Sequence, residues 1–206
     1  MTALVELHVA VDDPSSWRRL GLVFDGDTTL VGQVAIRVTA GRGGVVSWGL
    51  ADLPEADAPL TEIDGLAVHS MALSAPQDSV VRHPLGARRV DHAVVFTDSL
   101  ERTCGALAAA TGCELKRVRE AGPVRQGFHR LGEVIAEVVE SDRANSASYW
   151  GFVLEVDDLD AACALLGPDV VGEPRDAVQP GQRIATIRSG VGLGVPVALI
   201  SGRTRS

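Results

Sequence analysis

The stretch VDHAVVFTDSL, at residues 90–100, decides the fold that the sequence predicts. Its first eight residues are mostly apolar and β-branched, which predicts a buried strand. Asp98 follows, and its side-chain oxygen predicts a helix that begins near Leu100. The same pattern returns in WGFVLEVDDL at 150–159, and a fainter copy, ELHVAVDDP, lies at 6–14. Three strand-to-helix openings predict three copies of one supersecondary unit.

Each unit has the element order β-α-β-β-β, with glycine-containing turns between its later strands. Asp98 and Asp157 correspond between the second and third units, as do Arg125 and Arg183. In the first unit, strands are predicted at 4–11, 22–25, 30–39 and 45–50. We therefore predict an α/β (α+β) protein with an N-terminal half-domain at 1–73, a linker at 74–87 and a domain of two units, 88–141 and 148–202, at 88–202.

Composition excludes several classes of function. The net charge is −8 and the pI about 5.1, so the chain lacks the basic face that binds nucleic acid. No apolar run is long enough to cross a bilayer, and the N-terminus lacks the basic region of a signal peptide. Three cysteines without paired spacing do not form a disulfide framework. We expect a cytoplasmic protein with neither a membrane nor a nucleic-acid partner.

The two units that open with DHAVVFTDSLER and with VDDLDAA resemble the vicinal oxygen chelate superfamily. That superfamily contains glyoxalase I, extradiol dioxygenases and bleomycin-resistance proteins, and the chain is similar more narrowly to glyoxalase-like proteins of actinobacteria. The resemblance covers residues 88–202 well and the first unit weakly. It implies that two units pair into an open, cup-like barrel with helices outside. It also implies that a single divalent metal ion, where present, sits in the cup.

The resemblance implies one metal ligand from the first and one from the last strand of each unit, usually His and Glu. The second unit matches this pattern with His92 and Glu137. The third unit has Gly151 and Ala198 at these positions, so both of its ligands are missing. His92 and Glu137 are therefore tentative metal ligands and candidate catalytic residues, or else a hydrogen-bonded pair in a polar cavity.

The first unit offers a possible third ligand. Its corresponding positions are Glu6 and Trp48, and His8 shares a strand face with Glu6. If the first unit pairs with the second, within a chain or across a dimer, Glu6 or His8 would join the candidate metal site. Otherwise the expected cofactor is none.

Five other residues are candidate ligand-binding groups. Arginines inside a cup would bind a carboxylate or phosphate bidentately, and aromatic side chains would line its wall. The candidates are Arg125, Gln126, Phe128, Arg183 and Trp150. Because strand neighbours alternate between faces, only one of Arg125 and Gln126 would face the cup. The alternatives are surface arginines and aromatic core packing.

Three functions remain open from the sequence. The first is a small-molecule binder with a degenerate metal site, and the second is a metal-dependent lyase, isomerase or dioxygenase that uses His92 and Glu137. The third is a non-catalytic structural or regulatory dimer. A homodimer is expected because the half-domain would expose an unpaired sheet edge. The sequence does not identify the ligand.

Overall fold

The computed structural model describes residues 1–55, 59–72, 81–122 and 124–202. The mixed α+β fold class is confirmed, because most of the regular secondary structure is strand, in two large sheets that are not closed into barrels, accompanied by helices. The strands are β1 (Ala3–Val11), β2 (Thr28–Val31), β3 (Val34–Ala40), β4 (Gly44–Ala51), β5 (Glu62–Ile63), β6 (Leu66–Met71), β7 (Ala87–Thr97), β8 (Leu115–Ala121), β9 (Val124–Leu131), β10 (Val134–Glu140), β11 (Ser148–Val156), β12 (Arg175–Asp176), β13 (Arg183–Thr186) and β14 (Val197–Ser201). The helices are α1 (Leu100–Thr111), α2 (Leu159–Leu166) and the 3-10 helices Pro14–Leu20 and Ser189–Val191.

The second sheet consists of the second and third units side by side. Its strand order is β12-β13-β14-β11-β7-β10-β9-β8. In each unit the first strand lies parallel to the last, β7 beside β10 and β11 beside β14. The two units meet where β7 pairs antiparallel with β11. This is the paired β-α-β-β-β topology that the resemblance implied.

Helices α1 and α2 begin where the sequence places them. Of the two aspartates that precede α2, Asp158 is the N-cap, and it accepts a hydrogen bond from Ala161 N. The N-cap of α1 is Ser99 rather than Asp98, because the Ser99 hydroxyl accepts from Arg102 N. The Asp98 carboxylate instead binds the Arg102 guanidinium at 2.6 Å.

The first sheet corrects the prediction of a single β-α-β-β-β half-domain. Its order is β2-β3-β1-β4-β6-β5, and the strand parallel to β1 is β3 rather than β4. Residues 22–25 form no strand, because side chains bind that backbone instead. His83 Nδ1 accepts from Val23 N, and the Thr29 hydroxyl donates to Val23 O. The strand predicted at 30–39 is a hairpin that turns at Gly32, where φ is +64°.

The first sheet repeats the central register of the second. Each of the seven residue pairs between β1 and β4 has an equivalent pair between β7 and β11. Adding 86 to a β1 residue number gives its equivalent in β7, and adding 104 to a β4 residue number gives its equivalent in β11. The bulges recur as well: Val5 and Val46 are unpaired in the first sheet, and Asp91 and Trp150 in the second. The first sheet is therefore a reduced copy of the whole second sheet, with β4 and β6 supplying its second half.

The two sheets pack against each other through one hydrophobic core. Trp17 of the first 3-10 helix stacks on Phe152 of β11 with ring centroids 6.0 Å apart, and Trp48 of β4 lies 4.9 Å from Tyr149. Each of these contacts joins the N-terminal part of the chain to the second sheet. Helices α1 and α2 lie on this inner side, so each sheet has an opposite face directed away from the core. We call these faces the first and the second open face.

Two predictions concern segments at the ends of this fold. The linker predicted at 74–87 lies largely in residues 73–80, which are outside the described residues, and β7 begins at Ala87. The β-α-β-β-β order predicts a strand after α2 in the third unit, but this segment contains only the two residues of β12, and Pro174 just before it has no N–H to donate to a neighbouring strand. No helix in the described ranges has the length and apolar character required to span a bilayer.

Candidate functional site

His92 lies at the centre of the second open face, beside a β-bulge. Asp91 is the unpaired residue of the bulge, and bulges often redirect side chains next to functional sites. Asp91 Oδ2 lies 2.6 Å from His92 Nδ1, and both side chains are buried. This contact orients the imidazole ring and occupies Nδ1, so Nε2 is the nitrogen left for a ligand.

Asp91 belongs to a longer polar row. The Arg89 guanidinium binds both Asp91 and Glu155, the latter at 2.5 Å. Arg89 and Glu155 are themselves a paired position of β7 and β11. The row therefore holds the Asp91 carboxylate in place from the side opposite to His92.

Glu137 of β10 is the second polar group at the centre of this face. It pairs with Val94 of β7, and its Oε1 accepts a hydrogen bond of 2.5 Å from Gln126 Nε2. Burial raises the pKa of the Glu137 carboxyl, while the charges of His92 and Arg119 and the Gln126 hydrogen bond oppose that rise. In the described part of the chain Glu137 forms no ion pair, so its carboxyl is stabilised only by an amide and by more distant charges.

Aromatic side chains flank this polar centre. Trp150 is the unpaired residue of the other bulge, and it stacks on Phe96 with ring centroids 5.4 Å apart. Trp150 is 41% exposed, whereas Trp17 and Trp48 are fully buried. Phe128 is the register neighbour of Glu137 in β9 and is half-buried. The face thus combines aromatic surface with a few convergent polar groups, as ligand sites do.

The two candidate arginines lie on the helix side of the sheet, not on the second open face. Arg125 binds Glu101 of α1 at 2.6 Å and Glu140 at 2.9 Å. Arg183 binds Asp160 of α2 at 2.8 Å. The equivalent arginines of the two units therefore each anchor the first turn of their own helix. Of the neighbours Arg125 and Gln126, only Gln126 faces Glu137.

Gly151 and Ala198 occupy the positions of the third unit at which the resemblance implies metal ligands. Neither side chain has a ligand atom, and the Gly151 position has no space for a larger side chain. A Cβ atom on Gly151 would lie 2.2 Å from the carbonyl oxygen of Pro196. A histidine therefore does not fit at this position without a shift of the backbone. Ala198 pairs with Val153 of β11 and offers no ligand atom.

Glu6 and His8 lie on the first open face and contact residues of the first sheet. Glu6 Oε1 lies 3.3 Å from the Arg37 guanidinium and 3.2 Å from His69 Nε2. His8 Nε2 lies 2.9 Å from the Thr39 hydroxyl. The predicted convergence of Glu6 or His8 with His92 does not occur, because the two sheets turn these faces in opposite directions.

The register also corrects the predicted position of Trp48. Glu137 pairs with Val94, and the equivalent pair in the first sheet is Arg37 with His8. The position equivalent to Glu137 is therefore Arg37, while Trp48 is buried in the core. In the same way, His69 is equivalent to Ala198 through its pairing with Gly49.

The residues present do not fit a divalent metal centre of the implied kind. Nowhere in the described ranges do three or more His, Cys, Asp or Glu side chains converge closely enough to hold a metal ion. At the second open face, only His92 and Glu137 remain of the four positions, and Asp91 engages one nitrogen of His92. Two clefts, of about 420 and 910 Å³, lie elsewhere on the protein, and neither is lined by His92 or Glu137.

Sequence reasoning missed Asp91, Arg37 and His69. Strict alternation predicts Asp91 on the opposite face from His92, and a bulge is not visible in an alternating pattern. With β4 assigned as the last strand of the first unit, the sequence does not predict Arg37 and His69 as site residues. A signal for the correct alignment exists in the hairpins Val31-Gly32-Gln33-Val34 and Leu131-Gly132-Glu133-Val134, which are similar in sequence and in position.

Solved structures with a similar chain course include methylmalonyl-CoA epimerases. The enzyme from Mycobacterium tuberculosis is 15% identical and matches 58% of this chain and 91% of its own, with a TM-score of 0.49. A variant of the Streptomyces coelicolor enzyme, in complex with 2-nitronate-propionyl-CoA, is 20% identical over 57% of this chain and 96% of its own, also with a TM-score of 0.49. A hypothetical protein from Bacillus halodurans is 14% identical over 57% of this chain and 96% of its own, with the same TM-score.

No protein-family model and no curated protein match the chain. Identities of 14 to 20% do not define an activity. The assignment of function therefore rests on the side chains of the two open faces.

Proposed function

We propose that this protein binds a small molecule on the second open face, without a metal ion. The observation that supports this most directly is the environment of Glu137. Its carboxyl is half-buried, and this desolvation raises its pKa, yet among the described residues no cation contacts it, and it takes no part in the packing between the sheets. A polar group in such a position costs free energy unless a ligand completes its hydrogen bonds.

In this proposal the ligand contacts His92 Nε2 and the Glu137 carboxyl, and an apolar part of it packs against the exposed ring of Trp150. Gln126 orients the carboxyl through its hydrogen bond. Asp91 orients the imidazole. A small-molecule binder of this glyoxalase-like type, in the vicinal oxygen chelate superfamily, holds no metal ion and therefore needs no third metal-coordinating residue.

A titration followed by tryptophan fluorescence tests the proposal, because Trp150 is the exposed tryptophan. The probes are 4-methylcatechol, the hemithioacetal of glutathione and methylglyoxal, bleomycin and methylmalonyl-CoA. We expect at least one probe to change the fluorescence saturably, and we expect His92→Ala and Glu137→Gln to weaken it by about tenfold or more. The control is Glu133→Gln, which changes an exposed glutamate in the β9–β10 turn.

Absence of saturable binding for all four probes would overturn the proposal, as would equal affinity in wild type and Glu137→Gln. Metal content per chain, measured with and without the His92→Ala substitution, tests the alternative of a metal-dependent lyase, isomerase or dioxygenase. The retained pair His92 and Glu137 is what favours that alternative. Stoichiometric metal that disappears in His92→Ala would replace our proposal with it.

The oligomeric state and location remain predictions. The expected homodimer rested on an unpaired half-sheet, but β4 and β6 of the same chain provide the second half of the first sheet. The structural reason for a dimer is therefore weaker than the sequence suggested. Sedimentation equilibrium across a range of concentrations would distinguish a monomer from a homodimer, and cell fractionation would test the cytoplasmic prediction.

A further inference from the structure

A separate cleft of about 420 Å³ lies on the first sheet, between the 3-10 helix Pro14–Leu20 and the end of β3. Its volume is within the range of small-molecule sites. It has no residue in common with the candidate site on the second sheet. The residues that line it are Pro14, Ser15, Arg18, Phe24, Gly26, Asp27, Val38, Thr39 and Ala40.

One cation and one anion line this cleft without binding each other. Throughout the described chain, nothing forms a hydrogen bond or an ion pair with the Arg18 guanidinium. The Asp27 carboxylate accepts one hydrogen bond, of 2.8 Å, from the hydroxyl of its neighbour Thr28. Opposite charges that share a cleft and stay apart leave room for a ligand that carries both complementary charges.

The remaining wall of the cleft is mainly apolar. Phe24 is half-buried and packs against the hydrophobic core, so its ring is held in place. Val38 is buried beside it. At Gly26, where φ is +60°, an added Cβ would meet no atom within 4 Å, so the cleft is open at this point.

We propose that this cleft binds a small zwitterion of the α-amino-acid type with an apolar side chain. The carboxylate of the ligand binds Arg18, whose planar guanidinium matches a carboxylate. Its ammonium group binds Asp27, and its side chain packs on Phe24. A ligand with only one charge forms only one of the two charge-assisted contacts, which is the physical basis of the selectivity.

Isothermal titration of the full chain with three probes tests this proposal. L-Phenylalanine has both charges, 3-phenylpropionate has only the carboxylate, and phenethylamine has only the ammonium group. We expect L-phenylalanine to bind at least about tenfold more tightly than either analogue, since each charge-assisted contact contributes about that factor. The proposal would be overturned if L-phenylalanine did not bind at concentrations up to about 10 mM, at which even weak binding is measurable. Equal affinity for the three probes would also overturn it.

Two substitutions with matched controls assign the charges. Arg18→Gln is paired with Arg19→Gln on the same 3-10 helix, and Asp27→Asn with Asp25→Asn in the same turn. All four change exposed side chains, so the variants are expected to unfold at the wild-type temperature. Each cleft substitution should weaken L-phenylalanine binding by about tenfold or more, and each control should leave it unchanged.

The analogues then separate the two charges. Arg18→Gln should abolish the preference for L-phenylalanine over phenethylamine, and Asp27→Asn its preference over 3-phenylpropionate. Equal losses in the cleft variants and in their controls would mean that general surface charge, and not the cleft, binds the probe. This outcome would contradict the proposal while leaving the candidate site on the second sheet unaffected.

Discussion

Where the second sheet has His92, the first sheet has Glu6, and where the second has Glu137, the first has Arg37. Both pairs sit at the same register of the same bulged strands. On the first open face, the Glu6 carboxylate binds Arg37 and His69, so cation and anion neutralise each other. On the second open face, Glu137 has an amide as its partner.

This difference shows that the strand register places side chains but does not determine their chemistry. On the first face Glu6 and Arg37 neutralise each other's charge, although Arg37 Nε has no hydrogen-bond partner in the described chain. The second face leaves a half-buried carboxyl and an oriented imidazole for a ligand. The loss of polar residues at Gly151 and Ala198 is what makes the second face incomplete. Four predictions test this comparison between the sheets.

The largest effect is expected at the core that joins the two sheets. Trp17→Ala removes the ring that stacks on Phe152 and the indole N–H that donates to Leu193 O at 3.1 Å. We expect a loss of about 4 kcal/mol in the free energy of unfolding, typical of a buried Trp→Ala substitution. Urea denaturation of wild type and variant measures this loss. A loss below about 1 kcal/mol, or two separate transitions in the wild type, would mean that the sheets are independent.

A smaller effect is expected where the two sheets differ at one register position. Gly151→Ala drives a Cβ against the Pro196 backbone, and it should cost about 2 to 3 kcal/mol, as overpacking does. The equivalent residue in the first sheet is Ser47, which already has a Cβ. Ser47→Ala should therefore change the stability by less than about 0.5 kcal/mol. Equal costs in the two variants, measured by urea denaturation, would contradict the proposed closure of the Gly151 position.

The pH dependence of stability should reveal the half-buried carboxyl of Glu137 on the second face. The folded pKa of Glu137 is raised because of burial, so the folded state binds its proton more tightly than the unfolded state does. Stability is then lost as pH rises from the unfolded glutamate value, about 4.3, through the folded value. Glu137→Gln should therefore gain stability relative to wild type between pH 4 and pH 7. A pH-independent difference between the two proteins would contradict this prediction.

The first face should show the smallest effect, with the opposite sign. Burial and the Arg37 charge lower the pKa of His8, so the unfolded state binds the His8 proton more tightly. Stability is then lost as pH falls below the unfolded histidine value, about 6.5. His8→Asn should lose less stability than wild type between pH 7 and pH 5, measured by denaturation at each pH. A larger loss in the variant would reverse our interpretation of this face.

Much of the second sheet could be predicted from the sequence because its signals are local. Helix α2 begins at the end of the repeated pattern WGFVLEVDDL, since Asp158 caps it, and it ends at Leu166 because Gly167 follows. In β10, strict alternation places Val134, Ala136 and Val138 on one side and Glu137 on the other, and all three apolar residues are buried. Local periodicity is sufficient where a strand is paired on both sides.

The first sheet was predicted less well because its organisation depends on pairing between distant strands. Nothing local distinguishes β3 from β4 as the parallel partner of β1, since both are apolar and of similar length. The choice moves the position equivalent to Glu137 from Trp48 to Arg37. Bulges are equally difficult to predict from the sequence, because they appear only when two paired strands are compared residue by residue.

By itself, the sequence determined the α+β class, the repeated strand-to-helix openings and the polar residues His92 and Glu137, because these depend on local pattern and residue type. Only the tertiary structure decided that the first sheet is a complete though reduced copy with its own open face. It also decided that Glu6 lies apart from His92, and that Pro196 closes the Gly151 position. These features follow from register and from the packing of the sheets on opposite sides of one core, which are properties of the folded chain as a whole.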